Sequence, residues 1–113
     1  MAEVIITEDL KNEVLKKFKG ESKEIFKLMN SLRESPKKGK EIGNIRGIVI
    51  KEIKYGNFRF YFITNGFKVK FLGIKDLQDL LIKFIRMSNK KSQQKTIEEI
   101  KAVLRKFGAE GFK

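Results

Sequence analysis

Lys51, Glu52 and Lys54 precede a Gly56-Asn57 pair, Arg59 and Tyr61 follow it, and Lys90, Lys91 and Lys95 gather later in NKKSQQK with no acid between them. These are side chains suited to anions. The sequence contains no histidine and no cysteine, which removes the commonest acid-base catalyst, the commonest metal ligand and all thiolate chemistry. No metal and no cofactor is expected. An arginine keeps its charge and can only hold phosphate oxygens, often two at once. A lysine moves a proton near neutral pH only if burial or other cations lower its pKa. A cluster of Lys51, Lys54, Lys90 and Lys91 is the setting that would do so, with Glu52, beside Lys54, as the competing base. Tyr61 and Tyr55 can stack on bases or simply pack.

The charge is distributed unevenly. Residues 1–35 hold seven bases and seven acids, whereas residues 36–113 hold 19 bases and seven acids, so the later segment carries the whole net charge of +12. That asymmetry is an electrostatic footprint for a polyanion, most often nucleic acid. The bland alternatives are solubility and the lysine-rich usage of thermophile proteins. At 113 residues the chain has material for one core, hence one domain over 1–113. No run approaches the roughly 20 apolar residues that span a bilayer, and the N-terminus is acidic where a signal peptide is basic, so a cytoplasmic, membrane-free protein is expected.

These side chains need elements to hold them. EVIIT is strand-prone, and Thr7 stands as an N-cap before Glu8 and Asp9. Leu10, Val14 and Phe18 then make one helical stripe ending near Gly20. Ser22 can cap a second helix with Ile25, Leu28, Met29 and Leu32 inward, closed by Ser35-Pro36. PKKGKEIGNIRG, with Arg46, reads as a mobile basic loop that touches phosphates non-specifically. It lacks the Gly-Lys-Ser/Thr ending and the preceding strand of a phosphate-binding loop. IVIKEIKY, FRFYFIT and FKVKFLG, separated by Gly56-Asn57 and Asn65-Gly66, predict three antiparallel strands. Alternation puts Phe58, Phe60 and Phe62 on one face and Arg59, Tyr61 and Ile63 on the other. Glu52 and Lys54 share a face that Arg59 lines if the register permits. Phe67 and Phe71 suit a core or a surface covered by a partner. KDLQDLLIKFIRMS fits helix or strand, and a helical turn at 75–79 followed by a strand over about 80–87 is expected. Thr96 and Glu99 form a capping box for a last helix carrying Ile97, Ile100, Val103, Leu104 and Phe107, stopped by Gly108. The sum is an α+β domain, β-α-α, then a curved antiparallel sheet of three to four strands and a C-terminal helix, with the helices on one face.

In order of elements, and in GIVIKEIKYGNFRFYFI, LLIKFIRMS and NKKSQQKTIEEIKAVL, the chain resembles the RelE/HigB/ParE superfamily of small toxins. The first piece is similar to the family's Gly-x-x-Glu-x-Arg strand running into Tyr-Arg-x-x-Tyr. The last is similar to its Phe-x-Lys-Lys-x-x-Gln-Lys followed by Thr or Pro and a helix. The resemblance implies a RelE-like fold and an mRNA endoribonuclease acting in the ribosome, restrained by a cognate antitoxin. Arg59 matches the arginine of the central strand, Lys54 the basic residue ending the Glu-x-Arg piece, Lys90 and Lys91 the paired lysines, and Arg86 a basic position at the end of the last strand. Metal-free cleavage would then use Arg59 for the phosphorane charge, with Lys54, Arg86 and Glu52 as the other catalytic candidates. Lys51, Lys90, Lys91, Lys95, Arg46 and Tyr61 would bind RNA. The chain departs from the pattern in having Phe62 where the family's tyrosine falls, which leaves Tyr61 on the other face, and in lacking the histidine of several members. A ParE-like topoisomerase inhibitor and a non-catalytic RNA- or ribosome-binding protein are the alternatives.

Overall fold

Thr7 Oγ1 accepts the backbone N–H of Leu10 at 3.3 Å, so the expected cap starts the first helix. In this computed structural model, which describes residues 2–64 and 81–113, β1 (Glu3–Ile6) leads into α1 (Glu8–Phe18). A 3-10 turn, Lys19–Glu21, runs straight into α2 (Ser22–Asn30). Ser22 therefore caps nothing. Its hydroxyl donates to the Lys19 carbonyl at 2.6 Å, and the preceding turn replaces a conventional cap. The second helix also stops before Ser35-Pro36, passing into another 3-10 turn at Ser31–Arg33.

The stretch expected as a mobile loop contains a strand, β2 (Lys40–Ile45), hairpinned to β3 (Ile48–Tyr55). Arg46 and Gly47 both take positive φ, 53° and 83°, as the tight turn between twisted strands requires. The Asn44 side chain accepts the Gly47 N–H. A register shift between Glu41 and Gly43 interrupts the alternation, which hides the strand's period from the sequence. Gly39, at φ 104°, lets the chain pass Phe62: a Cβ there would lie 2.9 Å from the ring.

β4 (Phe58–Thr64) pairs antiparallel with β3 on one side and with β5 (Leu81–Asn89) on the other. The strand expected near 80–87 is thus present. β1 pairs with β5 in parallel, giving a mixed five-stranded sheet of order β1-β5-β4-β3-β2 rather than an antiparallel one. The expected turn at 65–66, the strand FKVKFLG with Phe67 and Phe71, and the helical turn at 75–79 lie outside the described residues. The last helix, α3 (Gln93–Phe107), begins three residues before Thr96. Thr96 is buried inside it and caps nothing, whereas Asn89 Oδ1 accepts the Ser92 N–H and starts the turn. Gly108, at φ 69°, ends the helix as expected, but Phe107 is 61% exposed and outside its packed stripe.

The helices do not share a face. Leu10, Val14, Ile25, Met29 and Leu32 of the N-terminal pair pack on Phe60, Phe62 and Phe84. Ile97, Ile100 and Leu104 of α3 pack on Ile50, Tyr61, Ile63 and Ile85. Successive residues of β4 feed opposite cores, which is why Arg59 and Tyr61 lie under a helix and not on an open face.

Candidate anion site at the start of the last helix

The strand register brings the central candidates together. Lys54 lies directly opposite Arg59 and Glu52 opposite Tyr61, so all four share the α3 face of the sheet. Ser88 lies opposite Arg59 on the other side, and its Oγ is 2.7 Å from the Tyr61 hydroxyl. The turn after β5 closes over the same end, because the Lys90 N–H donates to the Asn57 carbonyl at 3.0 Å. Lys90 and Lys91 are exposed there, as is Lys54, while Glu52 and Arg59 are buried, at 3% and 8% exposure. From the first turn of α3, Gln93 Nε2 donates to Glu52 Oε2 at 2.9 Å.

Arg59 is the unusual member. Its Nη1 donates to the neighbouring Phe58 carbonyl at 3.2 Å, but its buried Nε finds no hydrogen-bond partner among the described residues. An unsatisfied buried donor carries a desolvation cost of about 1–3 kcal/mol, so such a group calls for a reason. The first turn of α3 adds its own partial positive charge at this end of the sheet, where Ser92 supplies no side-chain cap. Along β3, Lys38, Lys40, Glu52 and Lys54 line a cleft of about 340 Å³ together with Ile53 and Leu28 of α2. Lys40 pairs in register with Glu52 at the last rung of the β2–β3 ladder.

Other candidates fall elsewhere. Lys51 occupies the opposite face from Lys54, so the expected four-lysine cluster is not assembled. Burial lowers the Lys51 pKa, an effect partly offset by Glu41, and its Nζ donates to the Lys37 carbonyl. The lysine with a depressed pKa is therefore on the wrong face to serve Arg59. Arg86 is held over the Phe112 ring at 4.9 Å, donates to the Ile85 carbonyl and faces Glu13 of α1. In register it stands opposite Tyr61, with its charge on Ile85 O and the Phe112 ring rather than toward Arg59. Glu13 is itself raised in pKa, by burial, with Arg86 and Lys17 opposing. Arg46 sits in the β2–β3 turn, at the far end of β3 from Lys54. Lys95 is exposed on the first turn of α3. Tyr61 is fully buried and cannot stack on a base, and Tyr55 packs edge-on against Phe18. Gln93, Ser88, Lys38 and Lys40 were missed by sequence reasoning. Only Lys40 had a usable signal, since recognising β2 would have placed it opposite Glu52.

Tyr61 supplies a pH test of this geometry. Burial raises its pKa, the Ser88 hydrogen bond lowers it, Glu52 raises it and Arg59 lowers it, with a net upward shift. A phenol whose folded pKa exceeds its unfolded value of about 10 stabilises the fold below that pH and loses the contribution as pH rises through the folded value. Urea unfolding across pH 8 to 12 should therefore show stability falling on the alkaline side, with a shallower fall in Tyr61→Phe. Identical alkaline limbs in the two proteins would place the tyrosine hydroxyl in water.

Among the described residues there is no cluster of three or more potential metal ligands, and no helix is long and apolar enough to cross a membrane. Comparison with protein-family models, curated proteins and solved structures found no match.

Proposed function

We propose that the chain is a toxin-like endoribonuclease that cuts mRNA at the ribosome without a metal, on a RelE-like form of the α+β fold. One observation carries the reading: the register places Lys54 and a buried, incompletely bonded Arg59 on one face, beside the turn bearing Lys90 and Lys91. The basic balance of residues 36–113 supports it. In this reading the exposed lysines hold the RNA backbone and Arg59 stabilises the phosphorane formed when a 2′-oxygen attacks the adjacent phosphorus. The 2′-hydroxyl gives up its proton to Glu52, and the 5′-oxygen leaves with a proton from the Lys54 ammonium, yielding a cyclic phosphate and a 5′-hydroxyl. The cytoplasm and a restraining antitoxin protein belong to the same proposal.

A second reading is supported by the burial of Glu52 and Arg59, which leaves Lys54, Lys90 and Lys91 as the groups a polyanion meets first. It is a binding protein without chemistry, held on RNA or the ribosome, or a ParE-like inhibitor of a topoisomerase. Inducible expression separates these. The endoribonuclease arrests growth with cut mRNA, and a combined Arg59→Ala, Lys90→Ala and Lys91→Ala chain relieves both effects. Trapped DNA breaks would instead indicate the topoisomerase reading, and harmless expression with salt-sensitive RNA binding the non-catalytic one. Arrest and cleavage unchanged in the triple variant would remove these residues from the site.

A further inference from the structure

Glu52 and Arg59 are diagonal neighbours on adjacent strands, since Lys54 stands opposite Arg59 and Glu52 opposite Tyr61. Diagonal positions are about 7–8 Å apart, within reach of long side chains. A buried carboxylate and a buried guanidinium so placed attract strongly in a low-dielectric setting. Yet among the described residues no acceptor reaches Arg59 Nε, and Glu52 Oε2 is bonded instead to the side-chain amide of Gln93. Gln93 is the first residue of α3, anchored by the turn in which Asn89 Oδ1 accepts the Ser92 N–H. The amide is thus delivered to Glu52 by a fixed element.

We propose that Gln93 is a positioning residue that holds the Glu52 carboxylate away from Arg59, so that the guanidinium stays open to an external phosphate anion. The inference rests on the reading of Arg59 as the anion-binding group, and it gives that site a built-in competitor. Without the amide, Glu52 turns to the guanidinium and the site closes on itself. A neutral amide suits this role because it satisfies the carboxylate without adding a cation that would compete for the incoming phosphate.

The test uses the full chain and inorganic phosphate as the probe. The Arg59 Nε–H resonance is assigned by its loss in Arg59→Lys and followed in proton–nitrogen correlation spectra as phosphate is added. Wild-type protein should show a saturable shift of this signal. Gln93→Ala should weaken phosphate binding about tenfold, as expected for loss of one charge-assisted contact to self-pairing. Adding Glu52→Gln to Gln93→Ala should restore affinity to near the wild-type value, because the competitor is then neutral. Equal weakening in the single and double variants would show that Gln93 only supports the helix, and overturns the proposal. So would a Gln93→Ala protein that binds as wild type does, although the Arg59 site would survive that result. A wild-type Arg59 signal that phosphate leaves unmoved would overturn the anion site itself.

Discussion

Under the proposed endoribonuclease reading, Arg59→Met should give a protein at least as stable as the parent that cannot cut RNA. Methionine matches the arginine stem out to the position of Nε, so the packing of that stem beneath α3 is little disturbed. What disappears is a guanidinium at 8% exposure whose Nε has no partner among the described residues and whose Nη1 donates to Phe58 O. The lost hydrogen bond costs about 1 kcal/mol, and the relieved desolvation of an unsatisfied donor returns about 1–3 kcal/mol. On these two terms the net is neutral to stabilising, because the buried Glu52 carboxylate keeps its own bond from Gln93 when the guanidinium is gone. Activity should move the other way. Loss of a preorganised charge aimed at a developing anion lowers turnover on the order of 100-fold to 1000-fold. Urea unfolding and cleavage of a short RNA by the same preparations check both halves. Arg59→Lys should recover little activity, since a point charge does not reproduce the planar fork. A large loss of stability in Arg59→Met would instead make the arginine a structural group and leave the proposed chemistry without its central residue.

Such an opposition of stability and function is what is expected of a group that the fold tolerates for another reason. The arginine was legible only in part. Alternation in FRFYFIT placed Arg59 and Tyr61 together, opposite the phenylalanines, and β3–β4 pairing carried Lys54 and Glu52 to the same face as expected. Their depth was not legible. It depends on α3 covering that face, and amphipathic helices read from sequence carry no label saying which side of a sheet each will take. The β2 hairpin was hidden for a different reason: a register shift at Glu41 to Gly43 breaks the period-two pattern on which recognition of a strand depends. The Thr96 cap failed because Ser-x-x-Glu-like spacing occurs inside helices as readily as at their ends. Asn89, four residues before Gln93, was the residue that turned the chain. Gln93 could not be found from any local pattern, since its partner Glu52 is 41 residues away in sequence. The lysines at 90 and 91 were visible because charge without nearby acid is a property of sequence alone.

Phe60→Ala, one residue from Arg59, should have the opposite signature. Phe60 is fully buried among Val14, Ile53 and Met87, with its ring 6.1 Å from that of Phe18, on the side of the sheet that faces α1 and α2. Truncating a buried phenylalanine costs about 3–5 kcal/mol through lost transfer energy and the cavity that remains. Set against a total of about 5–15 kcal/mol for a domain, that is a large share of the fold. Activity should therefore fall in step with the folded fraction, and recover on cooling or with Phe60→Leu, which refills part of the volume. No such recovery on cooling is expected for Arg59→Met, whose predicted loss of activity does not come from unfolding. Paired unfolding and cleavage curves for these two neighbours thus assign each face of β4 its task. If the two variants instead lost activity and stability together, the α3 face would be core like the other, and Lys54, Lys90 and Lys91 would be left as a surface that binds RNA without acting on it.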